Sequence, residues 1–172
     1  RSAPGVNAEG VGTTPGTNRI GNTVNLRDCR INFYIAYPKT TDGALIIPYT
    51  GTMCRVLLVD NLKDHTSLVA SDVLQTPTYP MTSTYKNTVA SGKRYKVLMD
   101  KKFTLTSEKP DKAFSWKMKL PKSGRVVHYN GSIDTNPSDL NVSLIYIATD
   151  IAPLSPNQPV MKYHVKSSFE DA

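Results

Sequence analysis

The sequence has few of the residues on which catalysis and metal binding depend. Its 172 residues include two cysteines and three histidines. His65, His128 and His164 lie too far apart in the chain for the H-x-H or H-x-x-x-H spacing typical of a metal site. There is no G-x-S-x-G motif and no glycine-rich phosphate loop between a strand and a helix. We therefore expect no catalytic residues, no metal and no cofactor, and a jelly-roll enzyme is the least favoured class.

Long apolar runs are also missing. Runs such as Val56–Val59 have the length of a strand, whereas a membrane span needs roughly 20 apolar residues. The N-terminal stretch lacks the apolar centre of a signal peptide. Cys29 and Cys54 are too few for a disulfide framework and lie in strand-like runs, which predicts two buried thiols. No association with a membrane is expected.

Positive charge is abundant, and it is concentrated in one stretch. The formal net charge is +7 and the sequence pI is about 9.4. Between Lys86 and Val126 there are 12 Lys and Arg residues against three acidic ones, whereas the rest of the chain carries nine basic and 11 acidic residues. Such a concentration predicts a polyanionic partner; charge alone allows nucleic acid, an anionic membrane surface or an acidic glycan, and of these the membrane is not expected.

Short runs of alternating apolar and polar residues, separated by turn formers, predict an all-β fold. In Thr23–Tyr37, for example, Cys29, Ile31 and Phe33 share the parity that faces a core. A helical spacing occurs only at Leu68–Leu74, after a possible cap at Asp64 or Thr66. Strands are predicted at 23–37, 52–60, 92–100, 101–106, 113–120, 125–129, 141–150 and 160–169.

This pattern predicts a single eight-stranded antiparallel jelly roll, a β-sandwich with long loops and at most one short helix. Residues 1–21, rich in Gly, Thr and Pro, are predicted to be a flexible lead-in, and residues 22–172 the jelly-roll domain. The run at 141–150 is apolar on both faces and is therefore predicted to be a central strand.

Strand parity predicts a basic sheet face. In a jelly roll the first and last strands are neighbours, and we expect the strand near residue 95 to join their sheet. On such a face the basic side chains would bind the phosphates of a nucleic acid, and the flat rings would stack on its bases. The alternative is an ordinary solvated sheet face. The residues predicted on this face are Arg30, Tyr34, Arg94, Lys96, Lys162, His164 and Lys166. Lys117 and Lys119 are predicted to lie on the opposite sheet.

Five short motifs occur in a characteristic order across residues 18–169: Asn18–Gly21, Arg94–Phe103, Val126–Asn130, Ser143–Ala148 and Tyr163–Phe169. In order and spacing they resemble the capsid proteins of small circular single-stranded DNA viruses that encode a rolling-circle replication protein, with the geminivirus coat protein as the nearest member. The motifs are individually short, and together they indicate a class rather than a particular virus.

The resemblance implies a coat protein that assembles into an icosahedral shell of about 60 copies around single-stranded DNA. It implies location in the virion, with assembly in the host nucleus, and leaves any host receptor or vector open. It also adds Arg19 to the candidate nucleic-acid-binding residues. Such proteins usually begin with an Arg-rich arm, whereas only Arg1 and Arg19 precede the first strand here. The main rival is a non-viral β-sandwich module that binds nucleic acid or acidic glycan as a monomer.

Overall fold

Two antiparallel β-sheets and one short helix make up the part of the chain that the structure describes. The computed structural model describes residues 22–37, 51–63, 66–87, 94–130, 137–150 and 159–171. The predicted lead-in at 1–21, and with it Arg19, lies outside these ranges. The elements are β1 (Thr23–Ala36), β2 (Thr52–Asn61), α1 (Ala70–Val73), β3 (Tyr95–Leu105), β4 (Asp111–Lys117), β5 (Arg125–His128), β6 (Val142–Asp150) and β7 (Val160–Asp171).

The first sheet is built around β1. The last strand, β7, pairs antiparallel along one edge of β1, and β4 and β5 share the other edge. Pairing of the first strand with the last was predicted and is confirmed. Along β1, Cys29, Ile31, Phe33 and Ile35 are all buried while the residues between them face outward, so one face of the strand lies in the core.

The second sheet has the order β3–β2–β6, with both pairs antiparallel. β2 is buried on both faces and is the central strand, which explains its run of apolar residues. The predicted central position of β6 is not found among the described strands, where β6 pairs only with β2. Its two apolar faces have another cause: one faces the space between the sheets and the other is covered by the chain around α1.

The main core lies between the two sheets. Side chains from β1, such as Ile31 and Phe33, pack with Cys54, Val56 and Leu58 of β2. A stacked pair, Phe33 and Phe114, joins β1 to β4 with ring centroids 4.8 Å apart. Both cysteines are buried thiols as predicted, and burial raises the pKa of Cys29 to about 11.

A smaller apolar cluster covers the far side of the second sheet. Leu68, Val73 and Leu74 of the segment around α1 pack on Leu57 and on neighbouring apolar side chains of that sheet. The predicted helical turn is confirmed, although it begins later than predicted: the Val69 backbone N–H donates to Asp72 Oδ2 at 3.0 Å, and Ala70 is the first helical residue.

The two strands predicted at 92–100 and 101–106 are one strand, β3, so the described residues form seven strands rather than eight. The polar pair Asp100–Lys101 continues the alternation instead of ending it. The register also shifts where Leu58 pairs with Met99 and Val59 pairs with Val97, which leaves Leu98 as an extra residue. Across this bulge the odd-numbered residues change face: Tyr95 and Val97 pack in the smaller cluster, whereas Met99 and Phe103 pack in the main core.

Candidate nucleic-acid interface

The outer face of the first sheet carries rows of residues that the strand register places side by side. Lys117, Arg30 and Lys166 form one row across β4, β1 and β7. The next row is Ser115, Asn32 and His164, and the third is Ala113, Tyr34 and Lys162. All nine residues are exposed. We call these three rows the basic face.

The register explains why the cations meet. Neighbouring strands lie about 4.8 Å apart, so the Cα atoms of Lys117 and Lys166 are about 10 Å from each other with Arg30 between them. Like charges that stand directly opposite each other on a sheet are destabilising. At physiological salt, screening acts over about 8 Å, so it weakens this repulsion without removing it.

One carboxylate lies among these cations. Asp28 forms an ion pair with Lys117, whose Nζ lies 2.9 Å from Asp28 Oδ1. The Lys117 hydrogen bond lowers the pKa of Asp28 below its ordinary value against the opposing effect of burial, and the charges of Lys117, Arg30 and Lys166 lower it further. Three cations therefore surround one carboxylate, and the face stays positive.

Five of the predicted site residues lie on the basic face: Arg30, Tyr34, Lys162, His164 and Lys166. Tyr34 is 46% exposed, so its ring is available to a ligand. The parity of β1 and β7 was sufficient to find these five residues, because both strands alternate regularly in this region.

Arg94 and Lys96 do not join this face, which corrects their predicted placement. β3 belongs to the second sheet, where Lys96 pairs with Asp60 of β2. Arg94 directly precedes β3, and its carbonyl accepts a hydrogen bond from the Leu62 N–H at 2.8 Å. The prediction failed because it assigned β3 to the sheet of β1 by analogy with strand order, and side-chain parity carries no information about sheet membership.

The opposite error was made for Lys117. It was predicted to lie on the far sheet, but β4 pairs with β1 and places Lys117 in the central cationic row. A signal for this pairing was present in the sequence. Phe114 and Trp116 match Phe33 and Ile31 in parity, and aromatic and β-branched residues make favourable cross-strand pairs.

Other site types are not supported by the described residues. They contain no group of three or more His, Cys, Asp or Glu side chains placed to hold a metal ion. Across the same ranges, no helix is long and apolar enough to cross a membrane. No protein-family model matches the chain, and no curated protein matches its sequence.

Proposed function

We propose that this protein is a viral coat protein that assembles into an icosahedral shell and binds single-stranded DNA through the basic face. The main support for DNA binding is the row Lys117, Arg30 and Lys166. These three exposed cations are held side by side by the register of β4, β1 and β7. Because such a row costs folding stability, its presence favours a function that needs it, and polyanion binding is that function.

The groups beside the cations favour a single-stranded nucleic acid over other polyanions. His164 lies two residues from this row along β7, and Tyr34 lies four residues from it along β1, so both flat rings are on the same face. Rings of this kind stack on unpaired bases, an interaction that tolerates any base sequence. An acidic glycan would gain charge neutralisation from the cations but no base stacking.

We also propose that the two-sheet sandwich is a jelly roll. The pairing of the first strand with the last supports this assignment. An eighth strand would have to lie outside the described residues. In this role about 60 copies would form the shell. The protein would then be a component of the virion and be assembled in the host nucleus.

A salt titration of oligonucleotide binding tests the role of the basic face. In the triple variant Arg30→Ala, Lys117→Ala, Lys166→Ala, the dependence of log binding constant on log salt should flatten by about 2 units, because each lost phosphate contact removes about 0.7. Binding of single-stranded oligonucleotide is measured by fluorescence anisotropy between low and physiological salt.

The matched control removes the same charge elsewhere. Lys63, Lys86 and Lys109 are exposed residues in connections outside the basic face, and none is a proposed ligand. Their triple replacement by Ala should leave the slope within about 0.5 units of wild type, smaller than one contact. Equal flattening in the two triple variants would mean that only net charge matters and would refute the assignment of the basic face.

Electron microscopy of the purified protein tests assembly separately. Closed shells of uniform diameter are expected for a coat protein. A protein that binds oligonucleotide through the basic face but stays monomeric at high concentration, with and without DNA, would instead be the monomeric β-sandwich module.

A further inference from the structure

A cavity of about 380 Å³ opens between the two sheets, beside the end of β4. One wall is formed by Lys96, Val97 and Leu98 of β3, and the other by residues 116–121 at the end of β4 and beyond it. Its volume is within the range of pockets that hold small organic ligands. The cavity contains no proposed ligand of the basic face except Lys117, which borders both.

The polar lining of the cavity is strongly cationic. Lys96, Lys117, Lys119 and Arg125 line it, against one carboxylate, Asp60. That carboxylate is already engaged by Arg125, whose Nη1 lies 3.8 Å from Asp60 Oδ2. Arg125 also donates to the Asp139 carbonyl at 2.7 Å, which fixes its position. Lys96 and Lys119 are exposed cations, and the net charge of the cavity favours an anion.

The rest of the lining is apolar and includes one large ring. Trp116 is half-buried, and Met118, Leu120 and Pro121 continue the apolar surface. Bare inorganic phosphate would leave this surface without a partner. A flat apolar ring that carries an anionic group would bury it and could also lie against the indole.

We propose that this cavity binds an organic phosphate with a flat apolar ring, such as a nucleoside monophosphate. The ring packs against Trp116 and the apolar wall, while Lys96 and Lys119 bind the phosphate. The ligand chemistry is shared by a free nucleotide and by one nucleotide of a bound strand. The inference does not depend on coat-protein function, since it follows from the cavity and its lining alone.

Trp116 is the single tryptophan of the chain, so its fluorescence reports on occupancy of the cavity. Adenosine 5′-monophosphate should change the emission saturably. Adenosine, which lacks the phosphate, and inorganic phosphate, which lacks the ring, should each bind about tenfold more weakly, since one stacking or charge-assisted contact is worth roughly that factor. Equal affinity for the nucleotide and inorganic phosphate would overturn the role of the apolar wall.

The double variant Lys96→Ala, Lys119→Ala should weaken nucleotide binding at least about tenfold. The control Lys86→Ala, Lys109→Ala removes equal charge at exposed residues that do not line the cavity, and it should bind as wild type does. No saturable change in wild type, or equal weakening in both double variants, would overturn the proposal. The triple variant of the basic face is not informative here, because it includes Lys117.

An oligonucleotide distinguishes the two sources of the ligand. If single-stranded DNA changes Trp116 emission and the Lys96→Ala, Lys119→Ala variant loses that change, a strand nucleotide enters the cavity. If DNA binds without changing the emission while the monophosphate still does, the ligand is a free nucleotide. Loss of DNA binding in the basic-face variant Arg30→Ala, Lys166→Ala, with nucleotide binding retained, would separate the two sites experimentally.

Discussion

At the residue scale, the least expected side chain is Arg55, a guanidinium in the middle of the buried strand β2. It is 1% exposed and makes two hydrogen bonds to Asp100, Nε to Oδ1 at 3.0 Å and Nη2 to Oδ2 at 2.7 Å. Its Nη1 donates to the carbonyls of Pro80 and Ser83. Arg55 therefore attaches the segment after α1 to the second sheet, and its burial is compensated by hydrogen bonds from all three of its nitrogens.

Tyr85 completes this group. Its hydroxyl donates to Asp100 Oδ2 at 2.6 Å, and its ring lies 5.8 Å from the Arg55 guanidinium. Burial, together with the hydrogen bond to the carboxylate, raises the pKa of Tyr85 to about 12. Burial alone would raise the pKa of Asp100, but the hydrogen bonds from Arg55 and Tyr85 prevail and lower it.

Replacing Asp100 by Asn should destabilise the fold by on the order of 3 kcal/mol, because Arg55 then remains buried without its counter-charge. Urea unfolding at neutral pH measures the loss. Asp111→Asn is the control, since Asp111 is an exposed aspartate on β4 and should change stability by less than about 0.5 kcal/mol. A loss no larger than that of the control would show that Arg55 is not held by Asp100.

The same pair predicts a pH dependence. A carboxyl whose pKa is lower in the folded state stabilises the fold above its unfolded pKa of about 3.9, and this contribution disappears as the pH falls through the lower folded pKa. Wild-type stability should therefore decline on acidification below about pH 4 more steeply than that of Asp100→Asn. Parallel curves from urea unfolding at several pH values would contradict the assignment.

At the scale of elements, the turn between β4 and β5 is fixed by one glycine. Gly124 donates its N–H to the Pro121 carbonyl at 2.9 Å and has φ +81°, in the left-handed region that side chains disfavour. A Cβ at this position would lie 2.9 Å from the Leu26 carbonyl oxygen of β1 and would also collide with the Asn25 side chain. The turn therefore brings β5 against the first half of β1.

Gly124→Ala should cost at least about 1–2 kcal/mol, from left-handed backbone strain and from contact with β1. Thermal unfolding measures the effect. Ser123→Ala, one residue earlier in the same turn, keeps the carbonyl that Asn25 and Arg27 bind and should be nearly neutral. Equal stabilities for the two variants would mean that the turn adapts to a side chain at no cost.

At the scale of the whole molecule, the two sheets have different outer surfaces. The second sheet is covered by the segment around α1, in which Leu68, Val73 and Leu74 are buried against β2 and its neighbours. These three side chains therefore stabilise the subunit itself. The first sheet keeps its outer face exposed, and this is the basic face.

Inserting a short tag after Asp72 should consequently destabilise the monomer itself, because it interrupts α1 and displaces Val73 from its apolar cluster. A tag after Glu108, in the exposed turn that Thr106 and Lys109 close with two backbone hydrogen bonds, should be tolerated. Circular dichroism during heating compares the two proteins. An unchanged melting temperature for the Asp72 insertion would show that the covering segment does not stabilise the sheet.

The sequence by itself determined most of the strands, the faces of β1 and β7, and the sign of the charge. Alternation in β1 and β7 was sufficient because each strand has one face in the core and one in water, so that Arg30 and Lys166 could be assigned to an outer face from parity alone. The local apolar spacing around Val73 likewise predicted α1. These features depend only on neighbours in the chain.

Only the tertiary structure decided which strands share a sheet. β3 and β4 are both basic, alternating strands and differ little as sequences, yet β4 pairs with β1 and β3 with β2. Strand pairing depends on contacts between distant residues, and parity is the same whichever partner is chosen. The tertiary structure therefore places Lys117 on the basic face and Lys96 in the lining of the cavity. It also explains the burial of Arg55, which Asp100 and Tyr85 contact.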